Sequence, residues 1–600
     1  MQMLQIFSKV NALFLGKLKK FSSPLSPSCL LDFLFIFTLV GCNWDSSSGK
    51  TTYSATIDAE TPVITIQLSN ATYSLNEQAV TISVEVEVSD NGILSYQWYS
   101  NSMDSNNEGV EISGEINDTY TPPTDVFGTT YYYVKVINTN TDASRNKTVV
   151  TVSDTVKIDV GYAINFYDND LNLNQSTVVF SEEINLANYN PFATLYEANG
   201  STDISSNTAY NMAGNTNLYA LSNVQEIRTE TELDNVRNNL SGKYILLNDI
   251  VLTSATLDTT EGWLPIGDSA DSFTGVFEGN GYKISNLWIN KISTDHIGLF
   301  GYINNAQIKN LGLETDNSKS GVKGGRFVGG IAGSIYSSNI TNSYFIGNIS
   351  ISNANVGGIA GYIHSSNIIN SYSSGDINGN FQVGGIAGYV IVNSNITNSH
   401  SVGNISGDGQ IGGIAGDTNG NIKGSYSARN VNGSNNIGGI AGVNFGNIMN
   451  SYSTGDINGT DNIGGIVGHV QIGNIANSYS IGNVSGNDKV GGIAGVVDLH
   501  GIIQYNVAIN PSINGSHEVN RVVGFVGNDG TVSDNLALED MLINGSHRTD
   551  GNDVDGTGKP LEDLKTKSTY ENLGWSFGND DANPWRIDDN NSYPYLYWEE

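Results

Sequence analysis

Paired carboxylates are the first chemistry to look for in this 600-residue chain, because enzymes that cleave polysaccharides use two Asp or Glu side chains as acid and base. The candidates are Asp376 and Asp456, which each follow a glycine in a recurring turn. The same position elsewhere in the chain holds Asn348, Asn404, Asn430 and Asn483. Aspartate and asparagine interchange where the side chain bonds to the local backbone. The pattern predicts a turn-capping position, so we assign no catalytic residue.

Other reactive residue types do not have the spacing of a known catalytic or metal-binding motif. The seven histidines are isolated, and the chain contains neither H-E-x-x-H nor G-x-S-x-G. The recurring G-G-I-A-G strings lack the strand-to-helix switch that a phosphate loop needs. D-G-N-D-V-D-G at residues 550–556 misses the spacing of a calcium loop, and we predict an ordinary loop there. The sequence therefore predicts no metal site and no cofactor.

The N-terminal segment has the order of a secretory signal. Four lysines between positions 9 and 20 precede an apolar run from Leu30 to Val40, which is too short to span a bilayer. The run ends in L-V-G-C, with the cysteine at position 42, and this string resembles a bacterial lipobox. An ordinary signal peptide that happens to contain a cysteine is the alternative.

The lipobox resemblance implies a definite organisation. Residues 1–41 would be the signal peptide, Cys42 the lipid acceptor and residues 42–60 a polar tether. Asn43, where enteric inner-membrane lipoproteins have Asp, implies sorting to the outer membrane. Cys29 would leave with the signal, so no disulfide is possible in the mature chain.

The chain is strongly acidic, with a formal net charge of −33. Residues 1–41 hold four Lys and one Asp, which leaves 23 Lys and Arg against 59 Asp and Glu in the remainder. Neutralising phosphate groups requires Lys and Arg, so we expect neither nucleic acid nor anionic lipid headgroups as partners. The acidic residues are spread along the chain, which favours a solubilising role for them.

Short alternating runs separated by turn signals between residues 61 and 160 predict a β-sandwich. A Trp in the third strand, followed by the Tyr-rich run G-T-T-Y-Y-Y-V-K-V, resembles an immunoglobulin-like domain of the bacterial kind. The resemblance implies Trp98 as the core anchor and Tyr131 or Tyr133 near the tyrosine-corner position. The cysteine pair of that family is absent. Such domains are spacers at least as often as binders.

Residues 161–222 are similar to the small β-grasp repeat of internalin-type surface proteins. The order strand, turn, L-Y-E-A-N-G and then M-A-G-N-T-N-L-Y-A carries the resemblance. Leu195 stands where that family has an aromatic residue. The resemblance implies a stalk element, which in some members binds a ligand.

One glycine-rich unit is then written seven times. Its glycine pairs begin at positions 329, 357, 384, 412, 438, 464 and 491, in steps of 26 to 28 residues. A fixed period in this range indicates a stacked array. The unit I-x-N-S-Y-S-x-G-[DN]-[IV]-x-G, followed by [VI]-G-G-[IV]-[AV]-G, resembles the GLUG motif over roughly residues 297–527. The resemblance implies an all-β parallel β-helix with coils of about 27 residues, which we place at residues 223–540.

Stacking one unit on the next aligns equivalent residues in columns. One apolar column passes through Ile331 and Ile414, and a second through Val328 and Ile411. These columns are three residues apart, so the glycine pair must bend or bulge the chain for both to face inward. Two further columns, one of asparagines and one of aromatic residues, are predicted to stabilise the stack and not to bind a ligand. They are Asn342, Asn370, Asn398, Asn450 and Asn477, interrupted by Gly424, and Tyr344, Tyr372, Tyr426, Tyr452 and Tyr479, with His400 in the same slot.

Both ends of a β-helix need covers because they expose unpaired backbone. Leu233, Val236 and Leu240 predict a short amphipathic helix at the first end, stopped at Gly242. Residues 541–600 are predicted to form an aromatic cap over the last coil. This segment contains Trp575, Trp585 and Trp598. A sugar-binding platform made by these tryptophans is the alternative.

Together these patterns favour a non-enzymatic, lipid-anchored protein on the outer membrane that faces the exterior. Its solenoid would bind glycans, matrix or neighbouring cells. A polysaccharide-degrading β-helix lyase or hydrolase is the runner-up, and a purely structural envelope stalk is the third possibility. An enzyme would need a groove along the coils with two or more carboxylates within reach of one sugar.

Overall fold

The chain folds as an all-β protein with a parallel β-solenoid of about 10 turns and about 28 residues per turn, and this confirms the predicted fold class. The computed structural model describes residues 57–254, 256–316, 318–319, 321–548 and 553–599. The predicted signal peptide and Cys42 lie outside the described residues. No helix in the described part is long and apolar enough to cross a membrane.

The N-terminal part is built on one eight-stranded sheet. Its strands are Ala71–Ser74, Ile93–Asn101, Val110–Glu111, Gly128–Thr139, Thr148–Val152, Val156–Tyr167, Leu173–Val179 and Thr216–Tyr219. Three smaller pairs accompany it: Val63–Ile66 with Glu85–Glu87, Ile82–Ser83 with Thr119–Tyr120, and Glu183–Ile184 with Tyr210–Asn211. A 3₁₀ turn spans Leu186–Asn188.

The long strand Val156–Tyr167 belongs to both predicted N-terminal modules. Its first half pairs with Gly128–Thr139 and Ala71–Ser74, and its second half pairs with Leu173–Val179 and Thr216–Tyr219. The position predicted as a module boundary, residue 160, therefore lies inside a continuous strand. A shared strand couples the two halves more stiffly than a Gly/Ser linker would.

Of the residues singled out in these modules, Tyr131 is partly exposed and the other three are core residues. Trp98 is fully buried, and its Nε1 donates to the carbonyl of Asn117 at 2.9 Å. Tyr133 is also fully buried, and its hydroxyl accepts from the backbone N–H of Gly109 at 3.1 Å. Leu195 is fully buried in the hydrophobic core formed by residues 164–218, so an aliphatic residue fills that position without loss of packing.

The coils of the repeat region pass through four sheets whose strands pair in parallel between coils, here numbered in the order in which a coil visits them. Sheet 1 contains Val328–Gly329, Ala354–Gly357, Phe381–Gly384, Gly409–Gly412, Asn435–Gly438, Asp461–Gly464, Asp488–Gly491 and His517–Asn520. Sheet 2 contains Phe300–Asn304, Ala332–Tyr336, Ala360–His364, Ala387–Val390, Ala415–Thr418, Ala441–Asn444, Val467–Val470, Ala494–Val497 and Val523–Val526.

The other two sheets run the length of the solenoid. Sheet 3 contains Val224–Ile227, Lys243–Leu246, Val276–Glu278, Gln307–Lys309, Asn339–Thr341, Asn367–Ile369, Asn395–Thr397, Asn421–Lys423, Asn447–Met449, Asn474–Ala476, Ile502–Gln504 and Thr531–Ser533. Sheet 4 contains Ile250–Val251, Lys283–Leu287, Ile289–Asn290, Gly312–Thr315, Val322–Lys323, Tyr344–Ile346, Ile349–Ser350, Tyr372–Ser374, Ile377–Asn378, His400–Ser406, Tyr426–Asn432, Tyr452–Ser453, Ile457–Asn458, Tyr479–Ser480, Val484–Ser485, Val507–Ala508, Ser512–Asn514, Leu536–Leu538, Leu542–Ile543, Ser546–His547 and Thr557–Lys559.

The glycine pair forms the corner between sheets 1 and 2. In one coil, sheet 1 ends at Gly357 and sheet 2 begins at Ala360, and the flanking Val356 and Ile359 are both fully buried. A Cβ on Gly357 would lie 2.1 Å from the Ala360 carbonyl oxygen, and one on Gly358 would lie 2.3 Å from the next coil's backbone. The predicted bend is confirmed. Close approach between backbones is the reason that glycine is needed there.

The asparagine column is explained by backbone conformation as well as by side-chain bonding. Asn370 donates from Nδ2 to Oδ1 of Asn342 at 3.1 Å, so the predicted amide bond is present at this pair. Asn398, in the next coil, donates instead to Asp581 Oδ1 in the C-terminal segment at 2.9 Å. Asn370 and Asn342 have positive φ, 50° and 49°, and so does Gly424, at 56°. Asparagine and glycine are the residues that adopt this left-handed conformation most easily, so Gly424 interrupts the ladder but not the fold.

The first end of the solenoid is covered by a short helix. It spans Glu230–Asp234 and continues as a 3₁₀ turn over Asn235–Asn238, so it ends earlier than Gly242. Thr229 and Glu232 form a capping box at its start, and Leu233 and Val236 are fully buried.

The C-terminal segment lies along the side of the solenoid. We call residues 560–599 the strap. It contains a 3₁₀ turn at Asp563–Lys565, a helix at Lys567–Glu571, a three-stranded sheet of Phe577–Asp580, Asn583–Arg586 and Tyr595–Leu596, and a 3₁₀ turn at Tyr597–Glu599. The strap reaches back to His400, where Trp598 is stacked on the imidazole ring. The position predicted for the aromatic cap, over the last coil, is therefore wrong, because the flat tyrosine column on sheet 4 gives the tryptophans a larger surface to bury against.

Candidate functional site

Two strips of aromatic rings run along the outside of the solenoid. The covered strip, on sheet 4, consists of Tyr344, Tyr372, His400, Tyr426, Tyr452 and Tyr479. The open strip, on sheet 2 and the corner before it, consists of His296, Tyr302, Phe327, Tyr336, Tyr362, His364 and Tyr389.

The covered strip is a stack of parallel rings. Ring centroids in successive coils are 4.8–5.0 Å apart and the ring planes differ by at most 13°. This spacing follows from the separation of hydrogen-bonded strands, because each ring sits on the same position of the next strand. The strap buries the later part of the stack: the Tyr452 hydroxyl donates to Glu599 and the Tyr479 hydroxyl to the Pro594 carbonyl, both at 2.6 Å.

A cleft of about 400 Å³ remains where the strap ends on the covered strip. Its aromatic walls come from Tyr372, His400, Tyr426 and Trp598. Burial lowers the pKa of His400 to about 4, with a smaller contribution from the Arg429 guanidinium, so this imidazole is neutral at pH 7. The alternative of a tryptophan sugar platform is not supported by the geometry, because Trp575 and Trp585 are buried against the tyrosine stack.

The open strip has a looser geometry. Its ring contacts range from 4.9 to 5.9 Å between centroids and include both stacked and edge-on pairs. Every ring is partly exposed to solvent. Tyr302, Tyr362 and Tyr389 share one register position on sheet 2. In the coil between Tyr302 and Tyr362 that position holds Ser334, and Tyr336, two residues later, supplies the ring, so the strip offers a ladder with one tyrosine in each of four consecutive coils.

One end of the open strip adjoins a polar cavity of about 610 Å³ near the covering helix. His296 lines this cavity and shares a hydrogen bond with Ser334 Oγ at 2.7 Å. The cations of the cavity are paired: Arg237 with Asp234, and Lys291 with Glu261. Burial lowers the pKa of His296.

The other end of the open strip stops at a buried carboxyl group. Asp417 occupies the position directly after Tyr389 in the column, and its side chain is 5% exposed. Gln382 Nε2 donates to Asp417 Oδ2 at 3.2 Å, and the amide oxygen of Gln382 accepts from Asn355. Within the described residues, Asp417 Oδ1 has no hydrogen-bond partner. Burial raises the Asp417 pKa to about 6.

The two predicted carboxylates lie elsewhere and are not close together. Asp376 Oδ1 accepts from the backbone N–H of Asn404 at 3.1 Å, and Asp456 Oδ1 accepts from that of Asn483 at 2.8 Å. Each carboxylate therefore binds the backbone of the next coil and not the local backbone, so the role is structural, as predicted, but it joins two coils. The two aspartates are three coils apart, or roughly 14 Å at the usual strand spacing, which is too far for a carboxylate pair to act on one glycosidic bond.

No metal centre is found in the part of the chain that the structure describes, where no three His, Cys, Asp or Glu side chains converge. The described portion of the 550–556 loop is bound to the protein itself. Asp555 accepts from Arg548 and from the backbone N–H of Arg521, both at 3.2 Å.

The open strip and Asp417 were missed from the sequence, although a signal for them exists. The position after A-G in each unit holds Tyr362, Tyr389, Asp417, Val443 and His469 in successive coils. When one position varies while its neighbours stay fixed, packing in the core does not determine its residue type. Aligning the units on this position would have identified both the ladder and its acidic end.

Comparisons with known proteins match parts of the chain. The GLUG motif family matches residues 352–378 and 433–458. A protein of Evansella cellulosilytica named "Putative Gly-rich membrane protein" is 45% identical over 93 residues, which is 15% of this chain and 11% of that protein. Halomucin of Haloquadratum walsbyi is 32% identical over 123 residues, 19% of this chain and 1% of that protein. The chain thus spans a small fraction of the curated relatives it matches.

Two solved structures also align with the chain. One, from Bacteroides ovatus, is named "putative immunoglobulin A1 protease". It aligns at 18% identity with a TM-score of 0.30, over 63% of this chain and 93% of its own. The other, named "IgA1 Protease", aligns at 14% identity with a TM-score of 0.30, over 74% of this chain and 28% of its own. The chain is an all-β protein whose parallel solenoid carries GLUG motifs.

Proposed function

We propose that this chain is a lipid-anchored, non-enzymatic protein of the outer cell surface that binds extracellular glycans along the open strip of its solenoid. The observation that carries the proposal is the ladder of partly exposed tyrosines, one in each of four consecutive coils. The names of the two curated relatives, a membrane protein and a halomucin, are compatible with a location at the cell surface.

The chemistry of the ladder suits a sugar polymer. A pyranose ring presents an apolar face of C–H groups, which packs on an aromatic ring much as other apolar groups do. Successive rings recur at about the strand spacing of 4.8 Å, so several sugar units could be held at once and weak contacts would add up.

The N-terminal part would act as a stalk. We propose that residues 61–160 are an immunoglobulin-like spacer and residues 161–222 a β-grasp spacer, joined by the shared strand Val156–Tyr167. The tether at residues 42–60 would connect them to a lipid on Cys42. A stiff stalk holds the solenoid away from the membrane, where it can meet long polymers.

The binding proposal is tested by removing two rings from the ladder. Full-length protein with Tyr336→Ala and Tyr362→Ala should lose at least about tenfold in affinity for the glycans that the unaltered protein retains on an array. The matched control is Tyr344→Ala, a stacked tyrosine of the covered strip that does not line its cleft. Equal affinities for the double variant and the unaltered protein would exclude the open strip as the binding surface. A chain that retains no glycan at all would be a structural stalk.

The anchoring proposal is tested at Cys42. The variant Cys42→Ser should remain unprocessed and partition into the aqueous phase of a detergent extraction, because its thiol is the only lipid acceptor that the lipobox offers. Cys29→Ser is the control, since that residue lies within the predicted signal. Normal maturation of Cys42→Ser would mean that Cys42 is not the site of lipid attachment.

The runner-up, a polysaccharide lyase or hydrolase, makes a different prediction. The chain should release reducing or unsaturated ends from a polysaccharide, and Asp376→Ala with Asp456→Ala should abolish that release, because proton transfer is typically worth about 10²–10⁴-fold. If the chain is a binder, the same double variant should leave glycan affinity within a factor of a few, as expected for side chains that bond to the backbone of the next coil. Turnover that the double variant loses would overturn the non-enzymatic proposal.

A further inference from the structure

Asp417 is expected to destabilise the fold, because its carboxyl group is buried without a full set of partners. Its carboxyl group is 5% exposed, one oxygen is bound by Gln382 and the other has no partner among the described residues. Burying a carboxylate without a counter-ion or a full set of hydrogen bonds is strongly unfavourable.

The fold does not require an acid there. The same position in the preceding coil holds Tyr389 and in the following coil Val443, and both are accommodated in the same strand geometry. An apolar or aromatic residue would therefore serve the solenoid at lower cost. The acid has a different purpose from packing.

We propose that Asp417 and Tyr389 form a subsite that binds the ammonium group of an amino sugar, so that the open strip prefers glycans with free amines over their N-acetylated forms. This inference rests on the proposed glycan-binding function of the open strip. The ammonium group donates to Asp417 Oδ1, while the ring of Tyr389 contacts the sugar that carries it.

The surroundings favour a cation over other donors. An ammonium group both satisfies the hydrogen bond and neutralises the buried charge, whereas a hydroxyl or an acetamide does only the first. Aromatic rings attract cations through their faces, and Tyr362 and Tyr389 lead to the carboxyl group. The chain as a whole has a net charge of −33, which also disfavours uronic acid polymers.

Gln382 is the side chain that binds the Asp417 carboxyl group. This residue is partly exposed, and its amide is the contact made with Asp417 Oδ2. Rotation of this side chain would open the carboxyl group to the strip. In the proposed subsite, the ammonium group takes the place of this amide beside the carboxyl group.

The test uses full-length protein and two oligosaccharides of equal length, an oligomer of glucosamine and the same oligomer fully N-acetylated. At pH 6.5 and physiological salt, where a large share of the sugar amines are protonated and most Asp417 carboxyl groups are ionised, the unaltered protein should bind the free amine at least about tenfold more tightly, the worth of one charge-assisted hydrogen bond. Asp417→Asn should bind both oligomers equally. The matched control, Asp456→Asn, removes the same charge from a turn on another sheet and should keep the preference.

Three results would contradict the inference. If Asp417→Asn keeps the amine preference, the preference arises elsewhere. If Asp456→Asn loses it to the same extent, the preference reflects net charge alone. If the unaltered protein binds both oligomers with equal affinity, the subsite does not exist, although the glycan-binding proposal stands. The failure of both oligomers to bind, together with an array that retains nothing, would remove the proposed function as well.

Discussion

The indole ring of Trp598 lies on the imidazole ring of His400, with 5.8 Å between the ring centroids and 25° between their planes. This contact fixes the direction of the strap, which runs backwards along the solenoid. Earlier in the strap, Trp575 and Trp585 pack against Tyr479. The strap therefore holds several coils together from outside and buries the part of the tyrosine stack that it covers.

The strap should contribute strongly to stability at Trp585. This side chain is fully buried against Tyr452 and Tyr479, so Trp585→Ala should lower the free energy of unfolding by about 3–5 kcal/mol. Trp598→Ala, at the partly exposed end of the strap, should cost clearly less. Urea unfolding followed by tryptophan fluorescence measures both. Equal losses for the two variants would mean that the strap detaches as a unit whichever tryptophan is removed.

His400 should make the protein sensitive to acid. Its pKa is about 4 in the folded chain, because burial disfavours the charged ring, against about 6.5 when unfolded. Between these values the unfolded state binds the proton and the folded state does not. The stability present above pH 6.5 is therefore lost as pH falls toward 4, by up to about 3 kcal/mol.

The variant His400→Tyr tests this pH dependence, because tyrosine occupies the same slot in the coils on either side. It should unfold at a similar temperature to the unaltered protein at pH 7.5 and at a clearly higher one at pH 4.5. Parallel pH profiles for the two proteins would show that His400 is not the group responsible.

The solenoid could be predicted from the sequence because its contacts repeat. A column such as Val328 and Ile411 appears once in every unit, so its inward position is supported seven times over. The structural role of the turn aspartates could be predicted for the same reason, since Asp376 and Asn348 occupy equivalent positions and the Asn348 side chain accepts from the Asp376 backbone N–H. Because equivalent residues of successive units stack on one another, the period of the sequence identifies residues that are in contact although they are far apart in the chain.

Contacts that occur once could not be predicted. The strap meets the solenoid through Trp598 and His400, and no repeated pattern links these two distant parts of the chain. The shared strand Val156–Tyr167 was divided between two modules because its pairing changes without any break in its sequence pattern. The acid at position 417 is visible in the sequence, because that position varies from coil to coil, but its hydrogen bond with Gln382 occurs once and could not be predicted.

The apolar columns can be compared directly with the turn positions. Ile414 is fully buried, so Ile414→Asp places an unpaired charge inside the solenoid and should cost several kcal/mol. Asp456→Asn introduces the residue that Asn430 and Asn483 already provide in the adjacent coils, and should change stability by less than about 0.5 kcal/mol. Thermal unfolding at pH 7.5 separates the two variants. Equal melting temperatures would mean that the column through Ile414 does not face inward.

The cost of the buried Asp417 carboxyl should itself be measurable. Its pKa is about 6 in the folded chain and near 3.9 in an unfolded one, so the folded state holds the proton more tightly. Stability is fully present below pH 3.9 and is lost as pH rises through 6, by roughly 2–3 kcal/mol.

Asp417→Asn should remove this loss, because an amide has the same shape, does not ionise and can still accept from Gln382. The variant should match the unaltered protein in urea unfolding at pH 4 and exceed it at pH 7.5. Asp456→Asn serves as the control for losing one negative charge. If Asp417→Asn is no more stable at pH 7.5, the carboxylate is already compensated in the free protein. A stabilising effect combined with a lost preference for amino sugars would show that the chain keeps a destabilising residue for the sake of binding, as expected where stability and function compete.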